Sequence, residues 1–155
     1  MLEDDNYKVL CIHYADYLKF IANHYLGWDG NKDEKGRTLL QFIGVDKVRA
    51  IYPNFWVDTV IRFVKVFEDD YDYILIGDCR FENEIMRWKE EDYKVVSVHV
   101  ERIFYENGLT EEQKNHSSET ALDDFDFDSN LIASSLFELE NEIRKKLLPR
   151  LMNLH

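Results

Sequence analysis

The sequence has few residues that interrupt regular structure and few that could cross-link a fold. Its 155 residues include two prolines, six glycines and two cysteines. The cysteines, Cys11 and Cys79, lie in or beside apolar runs, which predicts small buried thiols in a reducing compartment rather than a disulfide scaffold. We find no repeat, linker or low-complexity segment, so we expect a single domain over residues 1–155.

Long apolar runs and a secretory leader are also missing. No apolar stretch approaches the roughly 20 residues of a membrane span. The first six residues are acidic rather than basic and apolar, the reverse of a signal peptide. These features predict a cytoplasmic protein with no membrane partner.

Positive charge is scarce. Lys and Arg total 19 against 31 Asp and Glu, for a net charge of −12. This balance argues against general binding to nucleic acids, which favours basic surfaces. From residue 115 to residue 143 there is no Lys or Arg, so this acidic stretch is either a solvated face or a surface that docks on a basic partner. The candidate partner-binding residues in it are Glu119, Asp123, Asp124, Asp126 and Asp128.

Short apolar runs alternate with segments of helical period. The patterns predict strands at 7–13, 73–77, 94–100 and 129–133, and helices at 15–26, 38–50, 53–67, 81–92, 117–122 and from 135 onward. We therefore predict an α/β fold, with a mainly parallel sheet of about four strands and helices on both faces. In such a fold the functional site lies at the carboxyl ends of the strands.

Two blocks carry candidate site residues. Asp78 ends an apolar strand, where it could hold a Mg²⁺-bound water, orient a nucleophile or simply cap the next helix, and the neighbouring Arg80 could grip a phosphate. The segment 28–41 gathers cations such as Lys32 and Arg37 in an otherwise acidic chain. It is either a solvated loop or an anion site.

These blocks, with three others, resemble the phage-type deoxynucleoside monophosphate kinases, in order over about residues 15–128. The resemblance rests on Tyr14–Lys19 (YADYLK), Trp28–Gln41 (WDGNKDEKGRTLLQ), Gly44–Arg49 with Phe55 and Trp56, Asp78–Glu84 (DCRFENE), and His116–Leu122 (HSSETAL) with Phe127 and Asp128. It implies a P-loop-kinase-like fold, a phage-encoded protein in the host cytoplasm, and a reaction that uses ATP and Mg²⁺. By position in these motifs, it implies Asp16, Asp78 and Arg80 as catalytic candidates and Trp28, Lys32, Arg37, Gln41 and Arg49 as substrate-binding residues.

One expected motif is missing. Such kinases begin with a strand and a G-x-x-x-x-G-K-[ST] loop that cradles the phosphates of ATP, and this sequence contains no such motif. Because phosphoryl transfer depends on positioning and charge stabilisation, we expect no transfer by this chain alone, and no cofactor and no metal. The fold would be a truncated one, lacking the first strand, phosphate loop and first helix.

Three hypotheses remain open. The chain is a kinase relative that at most binds a deoxynucleotide, or an acidic inhibitor of a basic, nucleic-acid-binding host protein, or an active kinase whose recorded start is too late. Because the missing strand would be central in the family's sheet, the sheet must close differently or bury the gap against a partner, a second copy included.

Overall fold

Strands and helices alternate along the chain, as the sequence predicts. The computed structural model describes residues 2, 6–105 and 108–154. In chain order the elements are β1 (Val9–Ile12), α1 (Ala15–Leu26), α2 (Glu34–Gln41), wide π-type turns (Phe42–Arg49), α3 (Phe55–Val64), a 3₁₀ turn (Glu68–Asp70), β2 (Tyr73–Ile76), α4 (Asn83–Glu90), β3 (Val98–Arg102), α5 (Glu111–Lys114), α6 (Ser117–Thr120), β4 (Ser129–Ala133), α7 (Leu136–Glu142), a second π-type segment (Ile143–Leu147) and α8 (Leu148–Met152).

Helix boundaries follow local capping. Helix α1 ends at Gly27, whose φ of 71° is the left-handed conformation that glycine adopts at little cost. Helix α2 begins at Glu34, four residues earlier than predicted, because the Asp33 carboxylate accepts a hydrogen bond from the Gly36 amide at 2.8 Å. The prediction that residues 34–36 belong to a loop is therefore wrong.

The α/β class and the four strands are confirmed, but the strands form two parallel pairs. Strand β1 pairs with β2 and strand β3 pairs with β4, and among the described residues neither pair gains a third strand. The predicted strand at 94–100 is displaced, since β3 begins only at Val98. Residues 94–97 have no ladder partner in the structure.

Helices cover both faces of the β1–β2 pair. Leu10 and Ile74 pack against a core built from α1, α3 and α4, which contains the buried Trp56 and Trp88. On the alternate face, Tyr73 packs against Leu2, Leu151 and their neighbours from the terminal helix. This alternation is the period of two that places successive strand residues on opposite faces.

Two details differ from the sequence expectation. Cys11 is exposed, so the prediction of a buried thiol is wrong for that residue. Leu75 in β2 is 42% exposed, although an apolar run of this kind predicts burial on both faces. Both residues lie near the carboxyl end of the β1–β2 pair, where neighbouring structure leaves the sheet partly open.

In the part of the chain that the structure describes, no helix is long and apolar enough to cross a membrane.

Candidate functional site

A cavity of about 380 Å³ lies beside the end of β2. Its walls come from the first turns of α1, from α2 and the π-type turns after it, from the segment 78–84 and from α6. Such a volume is typical of small-molecule sites, which run from about 300 to 1,000 Å³. The cavity is therefore the best candidate for the site predicted at the carboxyl ends of the strands.

Most of the predicted substrate-binding and catalytic residues meet in this cavity. Those that line it are Lys32, Arg37, Gln41, Arg49, Asp78 and Arg80. They come from three sequence blocks, of which 28–41 and 44–49 are neighbours in the chain and 78–84 is distant. Two predicted site residues, Asp16 and Trp28, do not line the cavity.

Asp16 lies on the outer side of α1. Its carboxylate is exposed and lies 3.1 Å from Lys19 Nζ and 3.5 Å from His13 Nδ1. These contacts are ordinary surface ion pairs within one turn of chain, which contribute little. Asp16 itself does not line the cavity, although its partner Lys19 does.

Trp28 holds the loop that precedes α2. Its side chain is buried against Ala22 and Ile43, and its indole N–H donates to the Asn31 carbonyl at 2.9 Å. Asp29 accepts from the amide of Asn31 at 2.9 Å, and these hydrogen bonds hold the pKa of Asp29 below its usual value. Most of these contacts within residues 28–36 therefore stabilise the loop that carries Lys32.

Gly36 is required where this loop meets α2. A Cβ at this position would lie 2.1 Å from the Asn31 carbonyl oxygen and 2.8 Å from the Trp28 indole nitrogen. Real Cβ atoms do not approach backbone so closely. Glycine at residue 36 thus permits the close packing between the loop and the first turn of the helix.

Arg49 and Glu84 form a buried ion pair in the cavity wall. Their side chains are 12% and 4% exposed, and the guanidinium also donates to the Pro53 carbonyl and to Asn83 Oδ1, both at 3.0 Å. Burial raises the pKa of Glu84, while the amides of Arg80 and Phe81 and the Arg49 charge oppose that rise. Arg49 therefore stabilises the wall of the cavity as well as lining it.

One nitrogen of the Arg49 guanidinium lacks a hydrogen-bond partner among the described residues. The Nε of Arg49 is buried without a hydrogen bond in the described part of the chain. The guanidinium carbon lies 3.9 Å from the centre of the Phe81 ring, so the arginine also orients an aromatic wall of the cavity. A buried donor without a partner is costly, and a bound ligand or water would satisfy it.

Asp78 joins the end of β2 to the start of α1. Its two carboxylate oxygens accept hydrogen bonds from the backbone amides of Tyr14 and Ala15, both at 2.9 Å. The Tyr14 hydroxyl donates to the Glu84 carbonyl at 2.7 Å and accepts from the Trp88 indole at 2.7 Å. Asp78 therefore caps α1. The prediction that it caps the next helix, α4, is wrong, because both of its carboxylate oxygens bind amides at the start of α1.

Arg80 connects the cavity to helix α6. Its guanidinium donates to the Ser118 carbonyl at 3.0 Å and forms an ion pair with Glu119. Gln41 reaches the same helix through a 3.4 Å hydrogen bond from its amide to the Ser118 hydroxyl. Helix α6 therefore forms a roof over the cavity.

The roof is anchored to α2 and the turns that follow it. Gln113 is buried, and its amide donates to the Glu34 carbonyl at 3.1 Å and to the Thr38 hydroxyl at 3.3 Å. His116 lies 3.7 Å from the Asp46 carboxylate and caps α6 by accepting from the Ser118 amide. The 116–122 motif thus positions the roof over the cavity.

The described residues do not fit a resident Mg²⁺ ion. Both oxygens of Asp78 already accept backbone amides, and Glu84 pairs with Arg49. Among the described residues, no cluster of His, Cys, Asp and Glu could hold a metal ion. We therefore derive no step through a metal from these side chains.

Several cavity residues escaped the sequence prediction. Tyr14, Phe81, Glu84 and Ser118 all line the cavity. Each lies inside a motif block, but its role follows from hydrogen bonds between parts of the chain distant in sequence. For Glu84, a carboxylate among the apolar residues of a helix face was the available signal, since a buried charge needs a partner.

The predicted acidic surface splits into two groups. Glu119 pairs with Arg80, and Asp128 accepts hydrogen bonds from the amide and hydroxyl of Ser97 at 2.9 and 2.7 Å, which lower its pKa. The Glu119 carboxylate therefore holds the cavity roof to Arg80, and the Asp128 carboxylate stabilises the fold. The remaining three, Asp123, Asp124 and Asp126, are exposed, and their binding to a basic partner stays a prediction.

Comparison with known proteins agrees with the motifs. No curated protein and no solved structure matches the chain. A family model described as deoxynucleotide monophosphate kinase matches residues 5–143, which is most of the sequence and includes every residue of the cavity wall. The chain belongs to the deoxynucleotide monophosphate kinase family.

Proposed function

We propose that the 380 Å³ cavity binds a deoxynucleoside monophosphate. The observation that carries this proposal is the meeting of Lys32, Arg37, Gln41 and Arg80 in one cavity of a chain from this family. A net charge of −12 makes such a local gathering of cations notable, because the rest of the surface repels phosphate.

The charge of the cavity supports a phosphate group at one side of it. Its acids are already engaged, since Asp78 accepts backbone amides, Glu84 faces Arg49 and Glu119 faces Arg80. Lys32 and Arg37 add positive charge from the loop and the first turn of α2. Charge-assisted hydrogen bonds to phosphate are stronger than neutral ones.

The rest of the cavity suits a base and sugar. Leu40 and Phe81 offer apolar surface, and Gln41 offers an amide that can both donate and accept hydrogen bonds. The ring of Phe81 is fixed by the Arg49 guanidinium against it. An aromatic wall beside a neutral amide is an arrangement that can stack on a base and read its edge.

The first test is calorimetry with the four common deoxynucleoside monophosphates. We expect micromolar binding of at least one of them, and a loss of about 10- to 100-fold in affinity for Arg37→Ala, the size of a lost hydrogen bond to a charged group. Arg62, an exposed arginine on α3 outside the cavity, provides the matched control, and Arg62→Ala should bind as the unmodified chain does.

A deoxynucleoside without phosphate is the second control. Equal affinity for nucleoside and nucleotide would contradict the proposed phosphate side of the cavity. Absence of heat with every nucleotide would contradict the proposal as a whole. Thermal melting of Arg37→Ala separates lost binding from lost folding.

We further expect that the 155-residue chain does not transfer phosphate by itself, because the sequence contains no G-x-x-x-x-G-K-[ST] loop to hold a triphosphate. The measurement is ADP formation from ATP in the presence of the nucleotide that binds best. The rate should equal that of a sample without protein. ADP and nucleoside diphosphate formed in equal amounts would contradict this prediction while leaving the binding proposal intact.

A further inference from the structure

Two ion pairs lie in the wall of the 380 Å³ cavity, and they differ in burial. The side chains of Arg49 and Glu84 are 12% and 4% exposed, whereas those of Arg80 and Glu119 are 49% and 25% exposed. Water reaches the second pair, so its charges are partly screened and its contribution to stability is small. The pair of Arg80 and Glu119 is therefore the one that can separate at little cost to the fold.

The main chain of Arg80 is held independently of its side chain. The Arg80 amide donates to Glu84 Oε2 at 2.7 Å, and the Phe81 amide donates to the same oxygen at 3.1 Å. The guanidinium instead contacts the roof, through the Ser118 carbonyl at 3.0 Å and the Glu119 carboxylate. The Arg80 side chain can therefore change partners without disturbing the turn that carries it.

The roof is also attached by residues that precede α6. Gln113 donates to the Glu34 carbonyl at 3.1 Å, and the His116 ring lies 3.7 Å from the Asp46 carboxylate. Neither contact involves Arg80. Loss of the Arg80 contacts should therefore loosen α6 while the segment before it stays attached to α2 and the turns that follow.

A phosphate group and Glu119 compete for the same guanidinium. Arg80 and Glu119 both line the cavity, together with Lys32 and Arg37. A phosphate monoester carries about 1.5 to 2 negative charges at neutral pH, and its hydrogen bonds to arginine are charge-assisted and can be bidentate. Two anions on one guanidinium repel each other, and the anion with the larger charge is favoured.

We propose that Glu119 pairs with Arg80 in the free protein and that the phosphate of a deoxynucleotide displaces it. The inference rests on the proposed function, because the displacing group belongs to the nucleotide. Glu119 is then an internal competitor that lowers the affinity of the cavity for phosphate. Its departure from Arg80 loosens α6, so binding of the phosphate is coupled to the state of the roof.

Glu119→Gln is the first test, since it keeps the size of the side chain and removes its charge. We expect calorimetry to show about 5-fold tighter binding of a deoxynucleoside monophosphate, the scale of a partly exposed ion pair. The corresponding deoxynucleoside carries no phosphate and should bind the variant and the unmodified chain equally. A nucleotide affinity that is unchanged or lower in Glu119→Gln would overturn the proposal.

A matched variant separates this effect from a change in net charge. Glu112→Gln removes the same charge from an exposed residue of α5 that does not line the cavity. Charges on the surface are screened by salt, so the nucleotide affinity should stay within about 2-fold of that of the unmodified chain. Equal gains in Glu112→Gln and Glu119→Gln would assign the effect to net charge and contradict the proposed displacement.

A double variant tests whether Glu119 acts through Arg80. In an Arg80→Ala background, Glu119→Gln should bring no gain in nucleotide affinity, because there is no guanidinium to release. The same gain in this background would show direct repulsion between Glu119 and the phosphate, and would overturn the role of Arg80. Thermal melting establishes that each variant is folded.

Hydrogen exchange reports on the roof. The amides of Ser117–Thr120 should exchange faster with bound deoxynucleoside monophosphate than with bound deoxynucleoside. Slower exchange with the nucleotide would show that the roof closes with Glu119 in place, which contradicts displacement.

The same measurements separate this inference from the proposed function. If neither the unmodified chain nor Glu119→Gln binds any of the four common deoxynucleoside monophosphates, both fail. If nucleotides bind and Glu119→Gln leaves their affinity unchanged, the proposed function stands and the displacement of Glu119 is refuted.

Discussion

Arg49→Ala should lower the free energy of unfolding by about 3–5 kcal/mol, the usual cost of removing one member of a buried ion pair. The side chain of Arg49 is 12% exposed and that of Glu84 is 4% exposed, so water cannot replace the lost partner. The variant also removes hydrogen bonds to the Pro53 carbonyl and to Asn83 Oδ1. Urea denaturation measures the loss. The matched control is Arg62→Ala at an exposed position, whose free energy of unfolding should lie within about 0.5 kcal/mol of that of the unmodified chain.

The pH dependence of this loss identifies its cause. Burial already raises the pKa of Glu84, and without the Arg49 charge that pKa rises further. A carboxyl whose folded-state pKa is raised destabilises the fold when it is ionised. The loss in free energy of unfolding therefore grows as pH rises through the folded-state pKa, and it vanishes below the pKa of the unfolded chain. The deficit of Arg49→Ala should therefore shrink as pH falls from about 7 to about 5.

A double variant completes the test. Arg49→Ala combined with Glu84→Gln removes the uncompensated charge, and we expect it to recover part of the lost stability at neutral pH. A deficit that neither pH nor Glu84→Gln changes would show that the arginine acts through packing alone. Because Arg49 supports the fold, a loss of nucleotide affinity in Arg49→Ala would not by itself show contact with the nucleotide.

Gly36→Ala has the second large expected effect, a loss of about 3 kcal/mol or more in the free energy of unfolding. The new methyl group would lie 2.1 Å from the Asn31 carbonyl oxygen, and a backbone atom cannot yield without moving the loop. That loop carries Lys32 towards the cavity, so the affinity for a deoxynucleotide should fall in the same variant. Thermal melting and calorimetry measure the two effects.

Gly44→Ala is the matched control. At residue 44 the added Cβ meets the flexible end of Leu18 at 2.8 Å, which can rotate away. The better helix propensity of alanine, worth up to about 1 kcal/mol, offsets part of this contact. Equal losses of stability in the two variants would contradict the role that we assign to Gly36. The comparison is limited to stability, because Gly44 itself lines the cavity.

Local signals in the sequence predicted local structure well. The apolar period and Gly27 placed α1 at Ala15–Leu26, and β4 at Ser129–Ala133 also lies where the pattern predicted it. The early start of α2 escapes the apolar pattern because Asp33, in a run of charged residues, carries the capping signal instead. In each case the deciding interactions span only a few residues of chain.

Long-range structure was harder to predict. The sequence could not show that β2 and β3 lie on opposite sides of a cleft, since pairing depends on groups far apart in the chain. The sequence predicts substrate binding for Trp28, Lys32, Arg37 and Gln41 of the block at 28–41. In the structure Trp28 holds the loop, and the other three line the cavity. Residue type alone does not separate these two tasks.

The carboxylate of Asp78 has a consequence for the order of folding. Helix α1 has Tyr14 at its N-cap position, a residue without a side-chain cap, and its first amides instead bind a carboxylate 63 and 64 residues away. An isolated 12-residue helix is marginal in water, so α1 should become stable only when β2 has docked beside β1. Its amide protons should therefore exchange in global openings shared with the strands, and fraying of this helix start should be rare.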